Sequence, residues 1–168
     1  SFFNYSIASR APNPSELFSE GLHHSSARIE LGDLSFKSEI GHKFSYTLQR
    51  NEEKFTISIN PYYNIVKDFL VLEPTSVQTS IRGSYQVWEY RQTNANLFGL
   101  DIDATIALSK KLSFNHKSSI VKGYDRILKI PLINMPPVNT QNEIIYENKN
   151  FKNLKIEFTS NYVFQQNE

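Results

Sequence analysis

The residues best suited to chemistry lie between Arg10 and Asp33, where His23 and His24 stand side by side and Glu20, Glu30 and Asp33 flank them. Imidazole and carboxylate groups together make zinc ligands, but a structural zinc site wants a closed tetrahedral shell, so two histidines need help. On a strand, His23 and His24 would point to opposite faces. In a loop both could reach one ion, with Glu20, Glu30 or Asp33 completing the set. The competing reading is a pair of exposed loop histidines that bind nothing. Elsewhere, Asp101 and Asp103 fall two apart, as do Lys155 and Glu157. A carboxylate pair can cleave glycosidic bonds, yet nothing in the sequence supplies a cleft or an acid with a tuned pKa. The chain has no cysteine, which excludes disulfides, thiolate zinc sites and cysteine nucleophiles. No Ser-His-Asp order, phosphate-binding glycine loop or basic aromatic surface is present. These residues point away from an enzyme and toward ligand contact.

The elements that must position them are strands. The chain has 168 residues, the length of one domain, and a net charge of +1 that gives no reason to expect nucleic acid. Aromatics make up 13%, with twelve Phe and nine Tyr against one Trp, a composition that favours β-structure. In "LDIDATIALS" the residues Leu100, Ile102, Ala104, Ile106 and Leu108 alternate with polar or small ones, the period of a strand with one apolar face. Phe55, Ile57 and Ile59 repeat the pattern, as do Phe44, Tyr46 and Leu48, and Leu154, Ile156 and Phe158. Phe3, Tyr5 and Ile7 begin a first strand, Ile144 and Tyr146 mark a late one, and Leu112, Phe114 and Ile120 another that His116 and Ser118 interrupt. The result is an all-β, antiparallel up-and-down meander of about seven long strands.

Connection lengths carry further information. Tight turns are expected at Asn51–Lys54, Lys110–Lys111 and Asn148–Asn153, and long loops at residues 10–35, 72–88 and 124–137. Short and long connections alternate, which places every long loop at one end of a meander. Compact soluble domains seldom sort loops this way; outer-membrane barrels do. Residues 38–49, 54–66, 98–109 and 153–165 meet the roughly 9–11 residues that a tilted strand needs to cross a bilayer. Aromatics gather near strand ends at Tyr62–Tyr63, Trp88–Tyr90 and Tyr162–Phe164, the place of an interfacial girdle. The alternative architecture is a soluble β-sandwich or small β-barrel acting as a binding module. In the opening loop, Asn13, Pro14 and Glu16 fit an N-cap, a first-turn proline and a capping-box acid, with Gly21 as the stop. Leu17 and Phe18 would tuck that turn against the rim, and Arg10 and Glu16 could pair across its base.

"RAPNPSELFSEG", carrying Arg10, Pro12, Glu16 and Gly21, resembles the Arg-x-Pro-x-x-x-Glu-Leu-aromatic-x-x-Gly segment of TonB-dependent outer-membrane receptors. "SEIGHKFSY", "FTISINPYYNIVKDFLVL", "YRQTNANLFGLDIDATIAL" and "IPLINMPPVNTQNEIIYE" resemble further pieces of that family in the same order. "GLHHSSARIELGD" is similar to a loop in a subset of these receptors, some of which take up zinc or haem. The resemblance implies a barrel of roughly 22 strands closed by an internal plug. It identifies this chain, from residue 1 to 168, as a fragment of one such barrel domain, from its C-terminal half and without the plug. It further implies a bacterial outer-membrane location, and outer-membrane lipid, the plug and remaining strands, and the TonB energy-coupling complex as partners. Residues 10–35, 72–88 and 124–137 become extracellular loops. A bound metal ion or haem would then be the transported ligand rather than a resident cofactor. Asp101, Asp103, Lys155 and Glu157 would face the wet lumen, and the isolated piece would self-associate to cover its edges.

Overall fold

The computed structural model describes residues 1–81 and 83–166, with Ser80 described in its backbone only. The elements run β1 (Phe2–Arg10), α1 (Pro14–Phe18), β2 (Glu20–His23), β3 (Arg28–Leu31), β4 (Glu39–Asn51), β5 (Phe55–Ser80), β6 (Gly83–Ala107), β7 (Leu112–Asp125), β8 (Ile130–Pro131), β9 (Asn139–Asn148) and β10 (Leu154–Val163). Seven strands form an antiparallel meander in the order β1-β4-β5-β6-β7-β9-β10. The short β2, β3 and β8 are accessories, with β2 and β3 paired to each other, β3 parallel to β6, and β8 on β7.

Register converts the period-two pattern into two faces, because directly paired residues share a side of the sheet. Ile57 pairs with Ala104, Ile59 with Ile102, and Phe55 with Ile106. Ile106 pairs in turn with Phe114, Phe114 with Ile144, and Ile144 with Phe158. Tyr5, Phe44 and Tyr63 continue the same apolar face on the other side. The opposite face carries Ser6, Lys43, Ser58, Asn60, Asp101, Asp103, Lys117, Glu143, Lys155 and Glu157. Polar pairs lace this second face: Ser119 donates to Asp101 at 2.7 Å and Asn115 to Glu143 at 2.8 Å. Tyr62 also lies there, covering Gly99, where a side chain would overlap its ring. Lys43 sits 4.5 Å from the centre of that ring.

The three tight turns fall at one end, as the spacing predicts. The long connections do not remain loops. Residues 72–88 are mostly strand, because β5 and β6 continue past the wall as one hairpin to Ser80 and Gly83. Thr, Val, Ser and Tyr alternate through this stretch, so it has the composition of a strand with two wet faces, a pattern that lacks the apolar period. Two bulges, between Val66 and Phe69 and between Pro74 and Ser76, bend it. Asp68 takes φ 56° in the first, a conformation open to aspartate. Residues 10–35 hold α1 and the β2–β3 hairpin. The helix ends at Phe18 with Ser19 as its cap, so Gly21 does not stop it; Gly21 lies inside β2 at φ 130°. Phe18 is 67% exposed rather than tucked against the rim, while Leu17 is half-buried.

The buried cluster sits at the end bearing the long connections. Val66, Val71, Ala95 and Leu132 form it, with Phe69, Leu97 and Met135 packed around. Leu132 and Met135 come from the connection after β7, which folds back onto the polar-face side of the sheet over Gly123, and Leu132 N–H donates to the Gly123 carbonyl at 3.0 Å. The small residues Ala95 and Gly123 on that face leave the room they fill.

Candidate functional site

The rim formed by these connections is where side chains converge. Arg10, the last residue of β1, pairs with Glu39, the first of β4. Its guanidinium forks both ways. Nε and Nη2 donate to Glu39 at 2.8 and 2.9 Å, and Nη1 and Nη2 to Glu16 at 3.0 and 3.1 Å. Each carboxylate has a second duty. Glu16 Oε2 accepts the Asn13 N–H at 2.6 Å, the acid half of a capping box, and Glu39 Oε1 accepts the Leu70 N–H at 2.7 Å. One arginine therefore ties β1, α1, β4 and β5 together. Glu39 first and Glu16 second hold the guanidinium well above its ordinary pKa.

A second arginine repeats the device. Arg91 of β6 donates to Glu73 at 2.7 and 3.0 Å and to Asp125 at 2.8 Å. Asp125 is fully buried; its Oδ1 accepts from Thr93 at 2.7 Å and from the N–H groups of Ile127 and Leu128 at 2.8 and 2.9 Å. Burial pushes this carboxyl up, and the bonds from Leu128, Thr93, Arg91 and Ile127 together outweigh it, leaving Asp125 below the ordinary aspartate value. A single carboxylate thus starts the inward turn that delivers Leu132. Gln92 pins the opening connection, accepting from Lys37 N–H at 3.0 Å and donating to the carbonyls of Lys37 and Asp68 at 2.6 and 2.9 Å.

The structure spreads the residues singled out for ligand binding. Glu20 and His23 stand at opposite ends of β2, both exposed, with Glu20 paired to Leu31 and His23 to Arg28. The His23 Nδ1 lies 3.0 and 3.2 Å from the hydroxyls of Ser25 and Ser26, and exposed His24 follows in the turn. Glu30 is buried and bound by Arg28 at 2.7 Å, and Arg28 stacks 4.9 Å from the Trp88 ring centre. Asp33 accepts the Ser35 N–H at 2.8 Å, which holds it below the ordinary aspartate value. Among the described residues no three His, Cys, Asp or Glu side chains stand close enough to hold a metal ion. Pro12, Asn13 and Pro14 shape the approach to α1. Glu73, Arg91 and Asp125 escape a reading by motif, because each is a single charge, inside β5, inside β6 and at the end of β7, whose partner is remote in sequence. Their only sequence signal is a charge placed where the apolar period breaks.

Among the described residues no helix is long and apolar enough to span a membrane, which says nothing of a β-barrel. The fold has known relatives. It superposes on a copper transporter, OprC, with a TM-score of 0.69 at 20% identity, over 87% of this chain and 21% of that one. It superposes on the siderophore receptor PirA from Pseudomonas aeruginosa with a TM-score of 0.65 at 13% identity, over 95% of this chain and 30% of that one. The chain therefore spans less than a third of either receptor. No curated protein matches it. The family described as "TonB dependent receptor-like, beta-barrel" matches residues 1–167. With that match over almost its whole length, the chain belongs to the β-barrel of the TonB-dependent receptors, a family of bacterial outer-membrane transporters rather than enzymes.

Proposed function

We propose that residues 1–168 are one contiguous piece of a single receptor barrel domain, supplying wall and outer rim for the uptake of a metal ion, metal chelate or haem. The family match carries this reading. The apolar face would meet lipid and the polar face would meet the plug, whose TonB-driven rearrangement would release captured ligand inward. Metal-class cargo is favoured by two similar folds whose names are a copper transporter and a siderophore receptor. Within this piece, His23 and His24 are the side chains best placed to touch cargo: both are exposed on the outermost turn of the opening connection. Glu20 is exposed near them, whereas Glu30 and Asp33 already serve Arg28 and the Ser35 backbone. Two imidazoles make only part of a metal shell, so the plug or other loops would complete it. The isolated piece should self-associate, because β1 and β10 present unpaired edges.

Calorimetric titration of the full-length protein with zinc, copper, a ferric chelate and haem tests this reading. Binding of one of them is expected, weakened roughly tenfold or more in a His23→Ala/His24→Ala variant. Failure of all four to bind would reject metal-class cargo; binding unchanged in the variant would reject the histidines.

A further inference from the structure

The ladder between β7 and β9 stops at Ser119 and Asn139, while β7 runs on to Asp125. Above that point the two chains separate, and a cavity of about 680 Å³ opens between upper β7 and the Pro131–Val138 segment. Its volume lies in the range of small-molecule sites, roughly 300–1,000 Å³. Tyr63, Phe98, Lys122 and Tyr124 line it, and register puts all four on the apolar face of the sheet. Pro136 and Val138 make the far wall. Asn96 also lines it, and its side-chain carbonyl is buried with no partner among the described residues.

One rung above this aromatic floor are two cations. Lys67 pairs with Ile40 on the apolar face. Arg126 extends the β6–β7 ladder by donating its N–H to the Asn94 carbonyl at 2.8 Å, so strand alternation places it on the side of Tyr124. Both are exposed, and neither has an ion-pair partner among the described residues. Asp68 neighbours Lys67 in the bulge, and the rung stays positive on balance. In a barrel whose apolar face meets the bilayer, this rung lies at the headgroup level of the outer leaflet. A floor of aromatics with Lys122 beside Phe98, and two further cations above it, match the two ends of an anionic lipid.

We propose that this slot binds one acylated anionic lipid of the outer leaflet. An acyl chain enters between β7 and Pro136–Val138 over Tyr63, Phe98 and Tyr124, Lys67 and Arg126 hold the headgroup phosphate, and a headgroup hydroxyl or amide donates to Asn96. The inference rests on the barrel orientation of the apolar face and is independent of the cargo.

Native mass spectrometry of the full-length protein, loaded in turn with phosphatidylglycerol, a phosphorylated lipid A and neutral phosphatidylcholine, reads this directly. Retention of the two anionic lipids above phosphatidylcholine is expected. In Lys67→Gln/Arg126→Gln it should fall roughly tenfold or more for the anionic lipids and stay unchanged for phosphatidylcholine. Val138→Trp, which fills the slot but keeps both cations, should lower anionic-lipid retention as well. Heat-dependent gel migration reports that each variant has assembled. Equal retention of charged and neutral lipids by the parent protein would overturn the proposal. So would an unchanged preference in the double glutamine variant, or displacement of lipid by millimolar inorganic phosphate.

Discussion

Arg10 and Arg91 each hold two carboxylates at once, and in each cluster a carboxylate also caps backbone N–H groups. Such sites stabilise less through charge attraction, which solvent screens at the half-exposed Arg10, than through hydrogen bonds to groups that would otherwise be buried unpaired. Asp125 is the sharper case, being fully buried with donors on both oxygens. Its folded pKa lies below its ordinary value. Its contribution is therefore complete above the unfolded aspartate value, near pH 4, and is lost as pH falls through the depressed folded value. Proteolytic protection of segment 126–137 should accordingly hold from pH 7 to about pH 4 and fail below it. Asp125→Asn should lose about 1–3 kcal/mol of that protection at neutral pH, measured by native-state proteolysis. His116, which interrupts the apolar face, is satisfied within the sheet. Its Nδ1 lies 2.8 Å from Asn142 and its Nε2 2.6 Å from Ser118, so three polar residues on the apolar face answer one another.

Among the elements, the β5–β6 hairpin and the opening connection support each other. The hairpin extends roughly 35–40 Å along the strand beyond the first bulge. On its β6 side, β3 pairs with Gln86–Glu89 and shortens an edge that would otherwise lie open. The β2–β3 hairpin is thus an edge cover as well as the carrier of His23. Helix α1 docks on its end through Gly32. The Gly32 N–H donates to the Ser19 carbonyl at 2.7 Å, and Asp33 N–H to the Glu16 carbonyl at 3.1 Å. A Cβ on Gly32 would stand 2.6 Å from the Glu16 carbonyl oxygen, which is backbone and cannot swing away. Gly32→Ala should displace α1 and destabilise the rim by about 1–3 kcal/mol. Faster proteolysis within residues 11–38, with the barrel still assembled, is the expected readout; unchanged protection would mean that α1 is not held by this contact.

At the scale of the molecule, the sheet has an apolar face that no element among the described residues covers. Ile106 is 40% exposed, Ile156 55% and Phe158 66%. In water this surface would drive association; in a bilayer it is the solvent-matched side. Ile102 lies near the middle of the part of β6 that pairs with β7, Ala95 to Ala107, so Ile102→Lys in the full-length protein should cost about 2–4 kcal/mol of membrane stability. A heat-modifiability assay should show reduced assembly in membranes. Asp101→Lys, one residue away on the polar face, should assemble normally. Equal effects of the two would mean that the faces are reversed.

The sequence alone determined the strands, the turn end and the two faces, because side-chain alternation is a local property of an extended chain and Ile102 needs no distant partner to reveal its side. It also carried the α1 start at Asn13–Pro14–Glu16, where cap chemistry is written within four residues. The tertiary structure decided what the connections become. Residues 72–88 prove to be strand because pairing across a hairpin, rather than apolar period, stabilises a segment with two wet faces. Gly21 lies in β2 rather than at the helix end because pairing with Glu30 on β3 claims it. The partnerships of Arg10 with Glu39, and of Arg91 with Asp125, join residues 29 and 34 positions apart. Such pairs depend on register, and register is fixed only when the whole sheet closes its ladders.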